Sequence, residues 1–265
     1  MAITGLVTNF HEGVSETIGD ARVREHFDTN TDLYVDTYKA AYRAICEERI
    51  GLLERFLSVP SGEPLTILDV GCGAGTFLDM LLNRYPHSRA FGVDSSQGML
   101  SRNAPSPRKK LILSDARELL FGPNSFDLIN VDTVMHHLID YSGYRNTLGA
   151  IERFLSTTRE LLKPNGLMIV REIYHEFVLQ DDFGARLVYE LSTLRMPAIV
   201  ADLLKRLGMI TANAGVCFLT RRQWEEMFKR TSYEILQVTQ KPWKKHPFEK
   251  MGFRSNGDLY YTVMR

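Results

Sequence analysis

Between Thr66 and Leu82 the chain reads TILDVGCGAGTFLDMLL: a short apolar run, an acid-and-glycine turn, then helix-spaced Phe77, Leu78, Leu81 and Leu82. The turn carries Asp69, Gly71, Gly73 and Gly75. Glycine lets a backbone come close to a ligand where a Cβ would collide. Turn amides and the following helix N-terminus offer donors to the ligand's polar end. Strand, glycine turn and helix is how an open α/β sheet builds a nucleotide site at the carboxyl end of its first strand. Two more acids end β-rich runs. Asp94 closes RAFGVD, 23 positions after Gly71, where a carboxylate can accept from both ribose hydroxyls or cap the next helix. Asp115 closes KKLILSD and is followed by Ala116.

The spacing narrows the ligand. A dinucleotide fingerprint counted from Gly71 requires glycine at position 76, which is Thr76, and no P-loop pattern occurs. The pattern D-x-G-x-G-x-G resembles the first motif of the class I S-adenosylmethionine-dependent methyltransferases. The resemblance covers roughly 66–173 strongly and the closing helix and hairpin moderately. It implies S-adenosyl-L-methionine as cofactor, with S-adenosyl-L-homocysteine as product. The implied cofactor contacts are Asp69, Gly71, Cys72, Gly73, Gly75, Asp94, Ser95, Met99, Asp115, Ala116, Val131 and Asp132. Asp115 would accept from the adenine amino group while Ala116 leaves room for the ring. Asp69 either attracts the cofactor's ammonium or only structures the loop.

A two-histidine sequence, FDLINVDTVMHHLID, follows the fourth strand, as is common in that family. The resemblance sets Asn130, Val131 and Asp132 along the methionine portion, with His136 and His137 starting the next helix near the transferred methyl. A neutral imidazole can take a proton from a hydroxyl or amine at physiological pH. Adjacent helical residues face different ways, so His137 is expected inward as the catalytic base, with His136, Glu172 and His175 behind it. Arg171, Glu172, His175 and Glu176 cluster at the end of strand five, on the side where an acceptor lies. Tyr34, Tyr38 and Arg171 are the expected acceptor contacts. No H-E-x-x-H or comparable spacing occurs, and no metal is expected.

These residues need a scaffold, and alternating strands and helices provide a parallel sheet. Strands are expected at 66–70, 89–94, 109–115, 126–131 and 167–173. Helices are expected at 76–84, 97–103 and 148–162. A capped helix from Thr220, with Gln223 three on, precedes β-like runs at 233–240 and 258–265. The expected fold is an α/β, Rossmann-like seven-stranded sheet, mostly parallel, with a C-terminal antiparallel hairpin and a helical cap. Residues 1–60 read as an N-terminal helical arm or lid, helical over 21–57 with a break near Asn30. Tyr34, Tyr38 and Tyr42 lie four apart, as a core-packing face or a lid over the nucleoside. Residues 61–265 read as the catalytic domain, with a mainly helical insertion at about 176–219.

Composition bounds the function. The 265 residues carry 32 basic and 32 acidic side chains, without the basic excess of a nucleic-acid enzyme. Lys241, Lys244, Lys245, His246 and Lys250, with Trp243 and Phe248, read as a solvated hairpin loop before a site for nucleic acid or a phosphorylated substrate. No secretory signal or membrane-length apolar run is evident, and three scattered cysteines point to a cytoplasmic setting. The expected activity is methyl transfer to the O, N or C of a small organic acceptor. An RNA or protein methyltransferase, or a protein that binds the cofactor without methylating, are the alternatives. Homo-oligomerisation is left open. Calorimetry should show S-adenosylmethionine and S-adenosylhomocysteine binding, with NAD and ATP far weaker; equal or tighter NAD binding would refute the reading of the turn.

Overall fold

The computed structural model describes residues 8–9, 18–37, 39–57, 63–177, 181–194, 215–243 and 253–265. Tyr38, Lys244, Lys245, His246, Phe248, Lys250 and residues 195–214 of the insertion lie outside that set. The strands are β1 (Thr8–Asn9), β2 (Thr66–Val70), β3 (Arg89–Asp94), β4 (Lys109–Leu113), β5 (Phe126–Asp132), β6 (Leu162–Phe177), β7 (Glu234–Pro242) and β8 (Phe253–Met264). Helices α1 (Ile18–Thr29) and α2 (Lys39–Leu53) flank a π-helical turn, Leu33–Thr37. Then come α3 (Thr76–Arg84), α4 (Gln97–Ser101), α5 (Tyr144–Leu161), α6 (Asp181–Thr193) and α7 (Arg221–Arg230).

Among the described residues the sheet runs β1-β4-β3-β2-β5-β6-β8-β7. Strands β1 to β6 are parallel, and β8 lies antiparallel between β6 and β7. Seven of these strands form the expected sheet. The two-residue β1 adds an edge to β4 from the N-terminal segment, where no strand is expected. Strand β6 outruns its expected span because it pairs with β8 from Leu167 to Phe177.

Residues along each strand alternate between two cores, as pleated geometry requires. Leu68, Val70, Ile129, Val131 and Met168 join Ile151, Phe154 and Trp224 on one face. Ile67, Leu128, Leu167 and Ile169 join Ile50, Leu53, Phe77 and Leu81 on the other. Each such fully buried side chain contributes about 1.5–3 kcal/mol. Helix α6 spends its apolar face, Ala185 and Tyr189, on the first core and leaves Phe183 and Leu187 exposed. Among the described residues, no helix is long and apolar enough to cross a membrane.

Helix α2 is tethered to the sheet by charge as well as by apolar contact. Arg49 is 2% exposed and its Nη1 donates to Asp132 Oδ2 at 2.6 Å, where β5 ends. Its other arm donates to Asn130 Oδ1, and the guanidinium lies 4.6 Å over the Phe77 ring. Removing one member of a buried ion pair strands the other and costs about 3–5 kcal/mol. Arg49→Met should therefore destabilise by about that amount in chemical denaturation. The double variant Arg49→Met/Asp132→Asn should recover part of it. Equal stability of parent and Arg49→Met would show that the pair does not anchor α2.

Candidate functional site

Strand β2 ends at Val70, and the chain turns through Gly71–Gly75 into α3. Gly71 and Gly75 sit at φ +73° and +80°. A Cβ on Gly71 would lie 2.4 Å from Val134 Cγ2, and one on Gly75 2.2 Å from Asn103 Oδ1. The missing side chains thus clear protein neighbours. The turn's amides are also used internally, unlike the open donors expected of it. Gly71 and Cys72 N–H donate to the Val93 carbonyl, Gly73 N–H to Asp94 Oδ2 at 2.8 Å, and Gly75 N–H to the Cys72 carbonyl. The donors left are that of Ala74 and those of the first turn of α3.

A cavity of about 920 Å³ opens above the turn. Its floor includes Gly71, Cys72, Gly73, Gly75, Asp94, Ser95, Met99 and Ala116. Its far end carries Asp132, Thr133, His137, Arg171 and Trp243. The arm supplies the roof: His26, Phe27 and Tyr34, with Tyr42 from α2. Asp28 fastens the arm to α4, accepting from Ser96 Oγ at 2.5 Å and Gly98 N at 2.9 Å. No residue of α6 lines the cavity, so the described helix of the insertion packs beside the site while the arm covers it.

Asp94 accepts from Gly73 N and Ser96 N, both at 2.8 Å, and so ties the turn to α4. The N-cap of α4 is Ser96, which accepts from Met99 N. Burial raises the Asp94 carboxyl above its ordinary range, against the pull of those amides. Asp115 is not part of the cavity wall. Arg117 clasps it through Nε at 2.9 Å and Nη2 at 3.0 Å, while Ser114 and Ala116 on either side face the cavity. Val131 is fully buried behind the wall. Asp69 is also set back: its Oδ1 accepts from Asn130 Nδ2 at 2.5 Å, which joins it to Arg49 and Asp132.

The histidines occupy a 3₁₀ turn, Met135–His137, in place of an α-helix start. Glu172 shapes that turn. Fully buried, it accepts from Met135 N and His136 Nδ1, both at 2.7 Å. Its carboxylate is thus committed to the fold and His136 faces away from the cavity, its ring 5.2 Å from Phe218. His175 stacks 4.5 Å from the same Phe218 and likewise does not line the cavity. His137 does, with Phe27 edge-on at 5.5 Å. Burial, then the neighbouring His136 and His26, hold its pKa well below 6.5, so it is neutral at physiological pH. The Gly215 carbonyl accepts from the ring, and Nδ1 has no hydrogen-bond partner among the described residues. Thr133, just upstream, sits at φ +54°, a strained conformation for a β-branched side chain.

Residue types alone do not flag Arg49 or Asp258 as site-builders. Tyr42 donates to Asp132 Oδ2 at 2.8 Å, and Asp258 accepts from Arg171 Nε at 3.1 Å and Trp243 Nε1 at 2.8 Å. No local sequence signal marks Arg49, whose burial against Asp132 appears only in the folded chain. Among the described residues, no group of three or more His, Cys, Asp or Glu could hold a metal ion.

An acid-and-glycine turn at the carboxyl end of the central strand, in a sheet of this order closed by an antiparallel hairpin, defines a class I S-adenosylmethionine-dependent methyltransferase. The chain belongs to the family described as "Methyltransferase domain", whose model matches residues 39–238. It is 26% identical over 211 residues to a malonyl-[acyl-carrier protein] O-methyltransferase of Halalkalibacterium halodurans, covering 77% of this chain and 68% of that protein. It is 27% identical over 139 residues to a trans-aconitate 2-methyltransferase of Variovorax paradoxus, covering 52% of this chain and only half of that protein. Among solved structures, the [4+2]-cyclase SpnF superposes with a TM-score of 0.66 at 14% identity, covering 96% of this chain and 98% of that one. Phosphoethanolamine N-methyltransferase 2 of Haemonchus contortus gives 0.59 at 16% identity, covering 97% and 61%. At these identities the structural likeness is one of fold.

Asp69 yields a test of the site's electrostatics. Burial pushes its carboxyl up to about 7, against the opposing pull of Asn130 and Arg49. An unfolded aspartate ionises near ~3.9. The native state therefore holds its proton longer, and ionisation erodes stability as pH rises from about 4 to about 7. Asp69→Asn carries no such charge. Its stability relative to the parent should improve between pH 5 and pH 8, read from denaturation midpoints. A pH-independent difference would show that Asp69 ionises normally.

Proposed function

We propose that this chain transfers a methyl group from S-adenosylmethionine to an O, N or C atom of a small organic molecule held beneath the N-terminal arm. One observation carries the reading. A neutral His137 imidazole lines the same cavity as the glycine turn and Asp94. The volume of about 920 Å³ is near the upper end of small-ligand sites and suits a cofactor beside a compact acceptor. A balanced net charge and an arm-covered site argue against a nucleic-acid acceptor. Relatives named for malonyl-[acyl-carrier protein] and trans-aconitate also favour a compact acyl or carboxylic group at the reacting end.

The residues present fit the cofactor. Asp94 takes the ribose hydroxyls, with Ser95 beside it. Cys72, Met99 and Ala116 frame the adenosine, and Asp132 takes part of the methionine end. Asp69 and Val131 support the wall from behind, and Asp115 positions Ala116 through its bond to Arg117. Residues 1–60 act as the lid, with Tyr34 and Phe27 against the acceptor. The segment of the 176–219 insertion beginning at Gly215 holds the His137 ring.

When bound, the cofactor supplies an electrophilic methyl on a sulfonium whose departure leaves a neutral thioether. The chain's own tasks are then alignment, exclusion of water and acceptance of a proton. Alignment can lower a barrier by ~7–11 kcal/mol. A proton leaving a hydroxyl or ammonium acceptor passes to the neutral His137 imidazole. Because His137 titrates well below 6.5, it is already the free base across neutral pH. The decisive experiment follows S-adenosylhomocysteine formation with candidate acceptors by mass spectrometry. With an acceptor that must lose a proton, His137→Gln should slow single-turnover transfer by ~10²–10⁴. Cofactor affinity should hold, and the parent-to-variant ratio should stay constant from pH 6 to pH 8. Transfer by the variant at the parent's rate would overturn the base assignment.

A further inference from the structure

Lys109, the first residue of β4, buries its whole side chain behind the glycine turn. Its ammonium donates to Asp79 Oδ1 in the first turn of α3 at 2.6 Å, and to Asn103 Oδ1 at 2.5 Å. A buried charge must be paired and hydrogen-bonded to offset its desolvation, and these two oxygens meet that need. An ammonium has three donors and no acceptor, so only the oxygen of the Asn103 amide can face it. The amide nitrogen is then left for the turn, and Nδ2 donates to the Gly73 carbonyl at 3.0 Å. Asn103 is 6% exposed and occupies the space that Gly75 leaves free, where a Cβ would lie 2.2 Å from its Oδ1. A reversed amide would set its oxygen against the Gly73 carbonyl oxygen and its NH₂ against the ammonium. Lys109 therefore fixes which end of Asn103 meets the turn.

The consequence falls on the peptide link between Gly73 and Ala74. A planar trans peptide directs its C=O and its N–H to opposite sides. The Gly73 carbonyl is held toward Asn103, which is not part of the cavity wall, whereas Ala74 lines the cavity and is partly exposed there. The Ala74 N–H is thereby turned to the cavity. It has no hydrogen-bond partner among the described residues, while the amides of Gly71, Cys72, Gly73 and Gly75 are all bonded within the protein.

We propose that Lys109 and Asn103 are positioning residues of the site: the ammonium sets the amide, the amide sets the Gly73–Ala74 peptide, and the Ala74 N–H donates to the bound cofactor. This rests on the cofactor reading above. Neither side chain lines the cavity, so each acts on the ligand only through the next group in the series.

Nuclear magnetic resonance on nitrogen-labelled protein, with S-adenosylhomocysteine as the probe, tests the series. In the free parent the Ala74 amide should exchange with solvent faster than the amides of Gly71, Cys72 and Gly75. At saturation its exchange should slow by about tenfold or more, with the other three little changed. Asn103→Asp keeps the shape and gives Lys109 an oxygen, but sets a second oxygen against the Gly73 carbonyl. It should weaken S-adenosylhomocysteine binding by about tenfold and abolish the Ala74 response. Lys109→Met should act in the same direction by releasing the amide. A parent whose Ala74 amide is already protected, or does not respond to bound ligand, overturns the proposal whether or not the variants fold. So does an Asn103→Asp protein that unfolds at lower denaturant yet keeps the parent's affinity and Ala74 response, because the brace would then serve folding alone. A parent that binds no S-adenosylhomocysteine refutes the cofactor reading itself, and this proposal with it.

Discussion

The buried pair between Arg49 and Asp132 is the constraint on which the site depends. Arg49 comes from a helix of the N-terminal arm and Asp132 from the carboxyl end of β5, and both are almost wholly removed from water. Such a pair is weak evidence for stability, because desolvation offsets most of the attraction. Its effect is positional. A buried guanidinium must find acceptors, and these are Asp132 and Asn130 on the strand that flanks the glycine turn. Through them the network reaches Asp69, Tyr42, Arg171, Asp258 and Trp243, joining the arm to four strands. The arm therefore returns to one register over the site. The same charges hold Asp132 ionised: burial would raise its carboxyl, and Arg49 and Arg171 bring it below the usual range.

The histidine turn follows a comparable logic with different partners. A 3₁₀ turn of three residues makes few bonds of its own, so outside groups must define it. Glu172 does so from β6, accepting from Met135 N and from the His136 ring. Two histidines adjacent in sequence end in separate roles. One ring closes a buried pair that orients the turn, and the other lines the cavity as a neutral imidazole. The left-handed Thr133 begins this departure from the strand, and its N–H donates to the Arg171 carbonyl at 2.7 Å. Strain at that position persists because hydrogen bonds on both sides leave the chain no relaxed alternative.

The fold was largely legible in the chain. Apolar runs of five to seven residues, punctuated by Gly, Pro and Asn, place strands β2 to β5 within a residue or two, and α3 at its observed limits. Local chemistry suffices there, since a strand buried on both faces must be apolar and a glycine turn admits few substitutes. The capping box of α7 is equally local, with Thr220 and Gln223 exchanging bonds three residues apart. Strand β6 reads short because the PNG turn before it and His175 and Glu176 after it look like loop chemistry; β8 pairs with the latter two. The two residues of β1 carry no local signal at all.

At the site, the sequence by itself determined the positions of chemistry along the chain: the glycine turn, an acid at the end of β3, a pair of histidines after β5, and charged groups at the end of β6. Tertiary structure alone decided which of them face the ligand. It turned His136 and Glu172 into a scaffold, bound Asp115 to its neighbour Arg117, set Asp69 behind the wall, and brought Arg49 and Asp258 from distant parts of the chain into the charged network around Asp132. The physical reason is that a motif specifies residue types at the ends of strands, while the partner that neutralises or orients each buried polar group is found only when distant elements pack together.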